Sequence, residues 1–300
     1  MRILVTGGAG FIGSHLCEEL DRNHSIRVID NLSSGKNENV SESIEMVEAD
    51  IKSKKEIEPH FKDLDTVFHF AANPKVKTFP GDKDKDFEEN LQGTKNVLDA
   101  CIENNVDEIV FASSSVVYGE ETEIPTPEDA NLDPISMYGA TKAGGEHMCK
   151  VYSQIFDIEL SILRLANIVG RRNRKGVIYD FIHKLKEKPE KLEILGNGKQ
   201  RKSYLHIENT VEGIIHAWKA EDTVFNIGSR DSIDVDGIAE IVSEEMNLNP
   251  KFSYTGGEKG WEGDVPEMRL DISKLENEGW KPERNSRESV TKTVKELLKQ

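Results

Sequence analysis

Residues 2–13 read RILVTGGAGFIG, a short apolar run followed at once by a glycine-rich turn. The apolar run predicts a buried strand, and the apolar pattern over residues 16–20 predicts a helix directly after the turn. A second apolar run, residues 26–29, predicts another strand and ends on Asp30. This order of strand, glycine turn, helix, strand and acid is typical of a dinucleotide-binding unit.

Each glycine of this turn has its own predicted task. Gly7 and Gly8 let the chain turn sharply, Gly10 lets the backbone approach a pyrophosphate, and Gly13 lets the helix lie close to the sheet. The helix N terminus then offers N–H groups and a positive dipole end to the phosphates. Asp30 is placed to accept hydrogen bonds from a ribose diol and would repel a 2′-phosphate, so the site favours NAD over NADP. The spacing fits both GxxGxxG and the general pattern GxGxxG, and the glycines alone do not choose between them.

Length, charge and cysteine content limit the classes of function. The chain has 300 residues, of which 36% are hydrophobic, and this is enough for a large globular core. A net charge of −16 disfavours nucleic acid and anionic membranes as partners. The sequence has no apolar run near 18 residues, and its first predicted strand starts at residue 2, so we expect neither a membrane span nor a signal peptide. Three cysteines without CxxC spacing indicate a reducing compartment and no metal site, so we expect a cytoplasmic protein.

Strand and helix patterns alternate through the first half of the chain. Further strands are predicted over residues 44–47, 66–70, 109–112 and 160–163, and the clearest helices over residues 87–104 and 138–156. Such alternation with apolar strands predicts a doubly wound parallel sheet, a Rossmann-like α/β fold that binds ligands at the carboxyl ends of its strands.

The second half has a less regular pattern. It contains a predicted strand at 225–227, a loop over 256–266 and a docked terminal helix over 286–298. We therefore expect an NAD-binding domain over residues 1–166, joined by about 204–228, and a smaller α/β substrate-binding domain formed mainly by residues 167–300.

Tyr138 and Lys142 are the residues most suited to chemistry. Four residues apart on a helix, they lie on one face. A neighbouring ammonium, together with a nicotinamide cation, would lower the pKa of the phenol, so that it could exchange a proton with a substrate hydroxyl during hydride transfer. A serine among residues 113–115, at the end of a predicted strand, could stabilise charge on the reacting oxygen. His69 and His206 fit a structural role better than a ligand role.

Several motifs together resemble one family. They are TGGAGFIG at 6–13, DNLSSG at 30–35, Asp50-Ile51, HFAA at 69–72, SSSVVYG at 113–119, Tyr138 with Lys142, RLANIVG at 164–170, GNG at 196–198 and FNIG at 225–228. In this combination the chain resembles the extended short-chain dehydrogenase/reductase family over nearly its whole length, and most closely the nucleotide-sugar epimerases and dehydratases.

The resemblance implies a role for each matching residue. The cofactor NAD would be bound at its pyrophosphate by Gly7, Gly10, Phe11, Ile12 and Gly13, at its adenosine ribose by Asp30 and Asn31, beside adenine by Asp50 and Ile51, and along its length by Ala71, Ala72 and Asn90. The catalytic group would be Ser114, Tyr138 and Lys142, with Lys142 bridging Tyr138 and the nicotinamide ribose. The substrate would contact Ser114. Asn167 would bind its diphosphate, and Val177 and Ile194 would lie near its nucleotide base.

The resemblance also implies the reaction. The family's 4,6-dehydratases carry an Asp-Glu pair where this chain has Ser115 and Val116, so elimination and decarboxylation are disfavoured. We expect a 4-epimerase of a UDP-hexose, with UDP-glucose and UDP-galactose first. UDP-N-acetylhexosamine and UDP-glucuronate are the alternative substrates, and a catalytically silent NAD-binding regulator is the alternative from another class. By the same resemblance we expect a homodimer through helices such as 87–104 and 138–156.

Two positions depart from the family's pattern for binding the diphosphate. Lys202 stands where an arginine is usual, and lysine keeps the charge but loses the bidentate fork. Trp261 stands where the second arginine is usual. Either Arg201 or Arg269 substitutes in holding the phosphates, or the phosphates are held in a different way. These departures put the identity of the substrate in question more than the type of reaction.

Overall fold

The computed structural model describes residues 1–73, 84–120, 123–261 and 264–299. Its strands are β1 (Arg2–Thr6), β2 (Ser25–Asp30), β3 (Glu45–Glu48), β4 (Thr66–His69), β5 (Glu108–Ser114), β6 (Glu159–Leu165), β7 (Asn167–Val169), β8 (Lys191–Ile194), β9 (Arg201–Lys202), β10 (Tyr204–His206), β11 (Val224–Ile227), β12 (Ile233–Asp234), β13 (Lys251–Tyr254) and β14 (Glu267–Met268). Its α-helices are α1 (Phe11–Leu20), α2 (Lys54–Ile57), α3 (Gly93–Glu103), α4 (Met137–Phe156), α5 (Val177–Glu187), α6 (Ile207–Trp218), α7 (Val235–Glu245), α8 (Ser273–Asn277) and α9 (Ser286–Leu297).

A seven-stranded sheet has the order β11-β6-β5-β4-β1-β2-β3. β1 pairs with both β2 and β4, β2 pairs with β3, and β4 pairs with β5, all in parallel. The strand order reverses between β1 and β4, so a crevice opens at the carboxyl ends of these two strands. The doubly wound, Rossmann-like α/β fold predicted from the sequence is confirmed.

The chain forms two compact units. The first contains residues 1–119, 132–164 and 217–225, and the second contains residues 120–131, 165–216 and 226–300. In the first unit an apolar cluster packs α3 and α4 against the sheet through residues such as Val97, Leu98, Phe111, Cys149 and Ile162. In the second, α5, α7 and α9 share a cluster that includes Phe181, Leu185, Ile238, Val242 and Val294. The assignment of cofactor to the first unit and substrate to the second stays a prediction.

The predicted elements differ from the observed ones mainly at their ends. β5 and β6 extend beyond the apolar runs, so that Ser113, Ser114 and Arg164 belong to strands. Polar residues can pair their backbone as well as apolar ones, and hydrophobic patterning misses them for this reason. The predicted helix over 87–104 begins as a π-helix, Phe87–Gln92, before it becomes α3. In the predicted loop over 256–266, residues 262 and 263 lie outside the described residues.

Candidate active site

The glycine turn between β1 and α1 is closed by its own backbone. The Gly7 amide donates to the Ile29 carbonyl at 2.8 Å, and the Gly10 amide donates to the Gly7 carbonyl at 3.1 Å. Gly7 has a φ of 73°, and a Cβ there would lie 2.7 Å from the Ala71 nitrogen. A Cβ on Gly13 would lie 2.3 Å from the Gly7 carbonyl oxygen. The fold itself therefore requires glycine at positions 7 and 13.

Gly10 is constrained much less by the protein around it. Among the described residues, a Cβ on Gly10 would meet only the Gly7 carbonyl oxygen, at 3.1 Å. Gly10 is also the N-cap of α1, and none of the side chains that the structure describes caps this helix. The first amides of α1 and the open side of Gly10 suit an anionic group at the helix N terminus. The residues of the turn therefore fit the pyrophosphate of NAD.

Asp30, at the end of β2, is buried against the glycine turn. Its Oδ2 accepts from the Ala9 amide at 3.0 Å, and its Oδ1 accepts from the Leu32 amide at 2.8 Å. Burial raises the pKa of Asp30, and the backbone hydrogen bonds partly offset this effect. Each carboxylate oxygen has a second lone pair, so Asp30 can brace the turn and still accept from a ribose hydroxyl.

The residues predicted beside the adenosine lie around the same crevice. The Asn31 side-chain amide donates to Asp50 Oδ2 at 3.1 Å, so the structure brings these two together. Ile51 is buried. The Ala71 amide donates to Thr6 Oγ1 at 3.3 Å. Phe11 and Ile12, in the first turn of α1, and Ala72 are half-buried. Their contacts with the cofactor stay predictions.

Asn90, in the π-helix, is hydrogen-bonded both to the loop after β4 and to helix α4. Its Oδ1 accepts from the Asn73 amide at 2.7 Å, and its Nδ2 donates to Thr141 Oγ1 at 3.2 Å. The Asn73 side chain donates to Asp86 Oδ1 at 2.7 Å. All four side chains are buried. Asn90 thus fixes the wall of the crevice against the helix that carries Tyr138.

Ser114 and Tyr138 are brought together by β5 and α4. Ser114 is the last residue of β5, and its hydroxyl is hydrogen-bonded to the Tyr138 phenol. Helix α4 begins at Met137 because the Ser136 hydroxyl caps it and accepts from the Gly139 amide at 3.1 Å. The cap places Tyr138 in the first helical turn, half-buried and beside the strand end. The predicted pair of hydroxyl groups is therefore present.

Lys142 follows one turn later on α4 and is buried. Its Nζ donates to the Ala112 carbonyl at 2.8 Å and lies 4.9 Å from the centroid of the Phe111 ring. Burial lowers the pKa of Lys142 to about 8, partly offset by Cys149 and Glu146. An ammonium has three donors, so a neutral carbonyl leaves two of them for other acceptors.

In the protein alone the pKa of Tyr138 is raised to about 12, whereas the sequence predicted a lowered pKa when an ammonium and a nicotinamide cation are both beside it. Burial is the largest cause, and the carboxylate of Asp86 adds to it, while the hydrogen bond from Ser114 opposes both. Lys142 points its ammonium at Ala112 and does not offset the burial. A lower phenol pKa therefore depends on a further cation beside Tyr138, such as the nicotinamide ring of bound NAD.

Glu146 and Arg164 form a buried ion pair that we did not predict. Arg164 Nη2 lies 2.7 Å from Glu146 Oε2, and the two side chains are 3% and 0% exposed. Ser113 Oγ donates to Glu146 Oε1 at 2.5 Å, and Arg164 Nη1 donates to the Tyr118 hydroxyl at 2.8 Å. A sequence signal existed, since Glu146 repeats the four-residue spacing from Tyr138 to Lys142.

The two histidines singled out in the sequence are both buried. His69 lies between the hydroxyls of Thr6, at 2.7 Å, and Thr94, at 2.9 Å, and burial lowers its pKa to about 3. His206 Nε2 lies 3.1 Å from Glu296, and burial lowers its pKa. Among the described residues, no group of three or more His, Cys, Asp or Glu side chains is arranged to hold a metal ion.

In the second unit, the residues predicted near the nucleotide have different degrees of burial. Asn167 is half-buried, and its side-chain amide donates to the Ser203 carbonyl at 3.1 Å. Val177 begins α5 and is half-buried. Ile194 ends β8 and is fully buried in the apolar cluster of this unit. Their contacts with substrate stay predictions.

The cations predicted at the diphosphate have protein partners. Lys202 Nζ lies 2.5 Å from Oδ1 of the buried Asp264. Arg201 is exposed and donates to the hydroxyl and the carbonyl of Ser232, at 3.0 and 3.1 Å. Arg269 donates to the Arg230 carbonyl at 3.1 Å. Of the three cations predicted at the diphosphate, Lys202 is thus the one that the structure shows paired with a carboxylate, whereas the contacts given above for Arg201 and Arg269 are to uncharged groups.

The fold is that of a Rossmann-type protein, and its first unit brings together a serine at the end of β5 and a tyrosine and a lysine on α4. The model of the NAD dependent epimerase/dehydratase family matches residues 3–228. A crystal structure of a UDP-galactose 4-epimerase is 44% identical, with a TM-score of 0.92, and the match covers 100% of this chain and 99% of that one. The UDP-glucose 4-epimerase of Thermus thermophilus, solved in complex with NAD, is 32% identical, with a TM-score of 0.91 and 99% of each chain covered.

A putative UDP-glucose 4-epimerase of Methanocaldococcus jannaschii is 35% identical over 299 residues, covering 97% of each chain. The chain belongs to the NAD dependent epimerase/dehydratase family, within the extended short-chain dehydrogenases/reductases, and its cofactor is NAD. The predictions of family, fold and cofactor are confirmed.

Proposed function

We propose that this protein is a 4-epimerase that interconverts UDP-glucose and UDP-galactose. The observation that carries the proposal is the hydrogen bond between Ser114 and Tyr138, with Lys142 one turn away on the same helix. The three relatives reported above support the choice of UDP-glucose and UDP-galactose, since those three are named for one or the other. Other solved relatives are named as 4-epimerases of UDP-N-acetylglucosamine and UDP-glucuronic acid, the alternative substrates.

In this mechanism, the Tyr138 oxygen takes the proton of the C4 hydroxyl and later returns it. Ser114 donates to the same substrate oxygen and stabilises its partial negative charge. Lys142 is protonated below its pKa of about 8, and in this mechanism one of the two donors that Ala112 leaves on its ammonium turns toward the phenolate and stabilises it. When bound, NAD supplies the hydride acceptor and donor for C4. The sugar turns over between the two transfers, so the nucleotide must be held more firmly than the hexose.

A dehydratase or a decarboxylase is disfavoured by the residues after Ser114. Elimination of water needs a further acid and base beside the sugar. Ser115 and Val116 follow Ser114 in a 3₁₀ turn, and neither side chain exchanges protons near neutral pH. Epimerisation needs only the hydroxyl groups of Ser114 and Tyr138, the ammonium of Lys142, and NAD to take and return the hydride. UDP-N-acetylhexosamine and UDP-glucuronate remain the alternative substrates, and a silent NAD-binding regulator is the alternative from another class.

The proposal is tested by proton NMR of UDP-galactose incubated with the purified protein, without added NAD. We expect the anomeric signal of UDP-glucose to appear, because the NAD is regenerated in each turnover. Tyr138→Phe, which keeps the ring and removes the hydroxyl, should lower the rate about 1,000-fold. If UDP-galactose, UDP-N-acetylglucosamine and UDP-glucuronate are all inert, the proposal of a UDP-sugar epimerase is wrong. An NADH absorbance band without product would indicate hydride transfer without return.

We also propose that the protein is a homodimer through α4 and the π-helix before α3. Four apolar side chains of α4 are exposed, Met137, Val151, Ile155 and Phe156, and Phe87 of the π-helix is 51% exposed. An exposed apolar helix face of this kind is typical of a protein–protein interface. Ile155→Glu should convert a dimer to a monomer in sedimentation velocity. Leu195→Glu, at an exposed apolar residue of the second unit, is the matched control. A wild-type monomer would contradict this proposal.

In the part of the chain that the structure describes, no helix has the length and apolar character that a membrane span requires. The three cysteines are buried and free, and burial raises the pKa of each thiol. Unreactive thiols of this kind support the proposal of a reducing, cytoplasmic location.

A further inference from the structure

We infer that the buried ion pair of Glu146 and Arg164 positions Ser114 against Tyr138. Glu146 and Arg164 are therefore positioning residues for the proton transfer, and neither takes part in it directly. The inference rests on the proposed function only in that its kinetic test measures that reaction. The contacts that carry it lie in four elements of the first unit, namely β5, the 3₁₀ turn after it, α4 and β6.

The ion pair joins the catalytic helix to the strand beside β5. Glu146 lies on α4, two turns after Tyr138 and one after Lys142, and it is fully buried. Arg164 lies in β6 and meets it with two nitrogens, Nε at 3.0 Å from Oε1 and Nη2 at 2.7 Å from Oε2. Two parallel charge-assisted hydrogen bonds fix both the distance and the angle between the side chains. Helix α4 is thereby held in one position relative to the sheet.

The same pair holds the chain on both sides of Ser114. Before Ser114, the Ser113 hydroxyl donates to Glu146 Oε1 at 2.5 Å. After it, the Tyr118 hydroxyl accepts from Arg164 Nη1 at 2.8 Å, and the guanidinium lies 4.9 Å from the centre of the Tyr118 ring. The hydroxyl of Ser114, between these two contacts in the sequence, is hydrogen-bonded to Tyr138.

These contacts place Ser114 in a short segment with two anchors, and both anchors lead to the helix that carries Tyr138. Loss of either anchor frees the serine to shift relative to the phenol without removing a group from the reaction. A misplacement of about 1 Å at a reacting group can cost on the order of 100-fold in rate, so small shifts are measurable. We therefore expect the pair to act on kcat through Ser114 and to leave substrate binding unchanged.

Replacing Glu146 or Arg164 is a poor first test, because each would leave the other charge buried and unpaired and so endanger folding. The anchors themselves are milder targets. Ser113→Ala removes one hydroxyl and Tyr118→Phe removes the other, while the ion pair stays intact. Ser243→Ala is the matched control, since Ser243 is also buried and donates to a carbonyl, that of Ala239, at 2.7 Å on a helix of the second unit.

The decisive experiment is a double-mutant cycle on the holoenzyme with UDP-galactose. We expect Ser113→Ala to lower kcat about tenfold with KM unchanged, and Ser243→Ala to change neither. In the Ser114→Ala background, Ser113→Ala should have no further effect, because the residue that it positions is gone. If the two effects multiply, or if Ser243→Ala lowers kcat equally, the positioning role is wrong.

Crystal structures of the wild type, Ser113→Ala and Tyr118→Phe test the geometry independently of the reaction. We expect the hydrogen bond between Ser114 and Tyr138 to lengthen or break in both variants and to persist in the wild type. An unchanged hydrogen bond in both variants would overturn the inference. Failure of the wild type to convert any UDP-sugar would count against the proposed function alone, because the crystallographic comparison would still decide the positioning role.

Discussion

Two lysines, one in each unit, have ammonium groups with different burial and different hydrogen-bond partners. Lys142 is buried and donates to a neutral carbonyl, that of Ala112, at 2.8 Å. Lys202 is half-buried and pairs with the carboxylate of Asp264 at 2.5 Å. The first lysine donates to a group without charge, and burial lowers its pKa to about 8. The charge of the second lysine, Lys202, is neutralised by the carboxylate of Asp264. A phosphate that is to bind Lys202 must therefore share it with Asp264.

The largest expected effect concerns Lys142. Lys142→Met keeps the length of the side chain and removes the charge, so the reaction loses the ammonium that the proposed mechanism turns toward the Tyr138 phenolate. We expect kcat for UDP-galactose to fall about 1,000-fold while NAD stays bound, measured by NMR turnover and by the NAD released on denaturation.

Lys142→Arg is the matched variant for this prediction. It restores the charge but not the compact geometry of an ammonium, so we expect a partial return of activity. If Lys142→Met retains wild-type kcat, the lysine has no part in the proton transfer, and the contrast between the two lysines disappears.

A smaller effect is expected at Lys202. Lys202→Met should raise KM for UDP-galactose about tenfold and leave kcat near that of the wild type, because the diphosphate is bound equally before and during the reaction. The same change leaves the buried Asp264 carboxylate without its cation, which should lower the free energy of unfolding by about 2 kcal/mol. Steady-state kinetics and urea unfolding measure the two effects separately.

The double variant Lys202→Met with Asp264→Asn separates binding from stability. Removing both charges should recover the stability, and KM should stay high if Lys202 binds the diphosphate. Arg201→Met is the comparison at the neighbouring exposed arginine, with an expected rise in KM of about twofold. A larger rise for Arg201→Met than for Lys202→Met would show that the arginine is the cation that binds the phosphates.

The residues that the structure brings together in the first unit could be singled out in the sequence because their signals are local, and their roles stay predictions. The glycine turn and the spacing from Tyr138 to Lys142 each lie within a few residues, and the family motifs identified Ser114. Ion pairs between residues far apart in the chain could not be predicted from the sequence. Lys202 and Asp264 are 62 residues apart, and Glu146 and Arg164 are 18 apart.

The pKa of Tyr138 could not be predicted for a related reason. Spacing indicates that a lysine lies nearby, but burial decides the charge states, and burial comes from the packing of the whole unit. The raised pKa of Tyr138, about 12, and the lowered pKa of Lys142, about 8, both follow from desolvation.

The smallest expected change in kcat is the pH dependence that this burial produces. The pKa of Lys142 is lowered from its ordinary value to about 8, so its ammonium is present below that pH and is lost as the pH rises through it. We expect kcat to fall about fourfold between pH 7 and pH 8.5, following the protonated fraction. The fall should be absent in Lys142→Arg, whose guanidinium stays charged. Carbon NMR of the lysine Cε signals should show one titration near pH 8 in the wild type and none in this variant. A Lys142 that titrates only above pH 10 would mean that water reaches its ammonium, and the two lysines would then differ only in their partners.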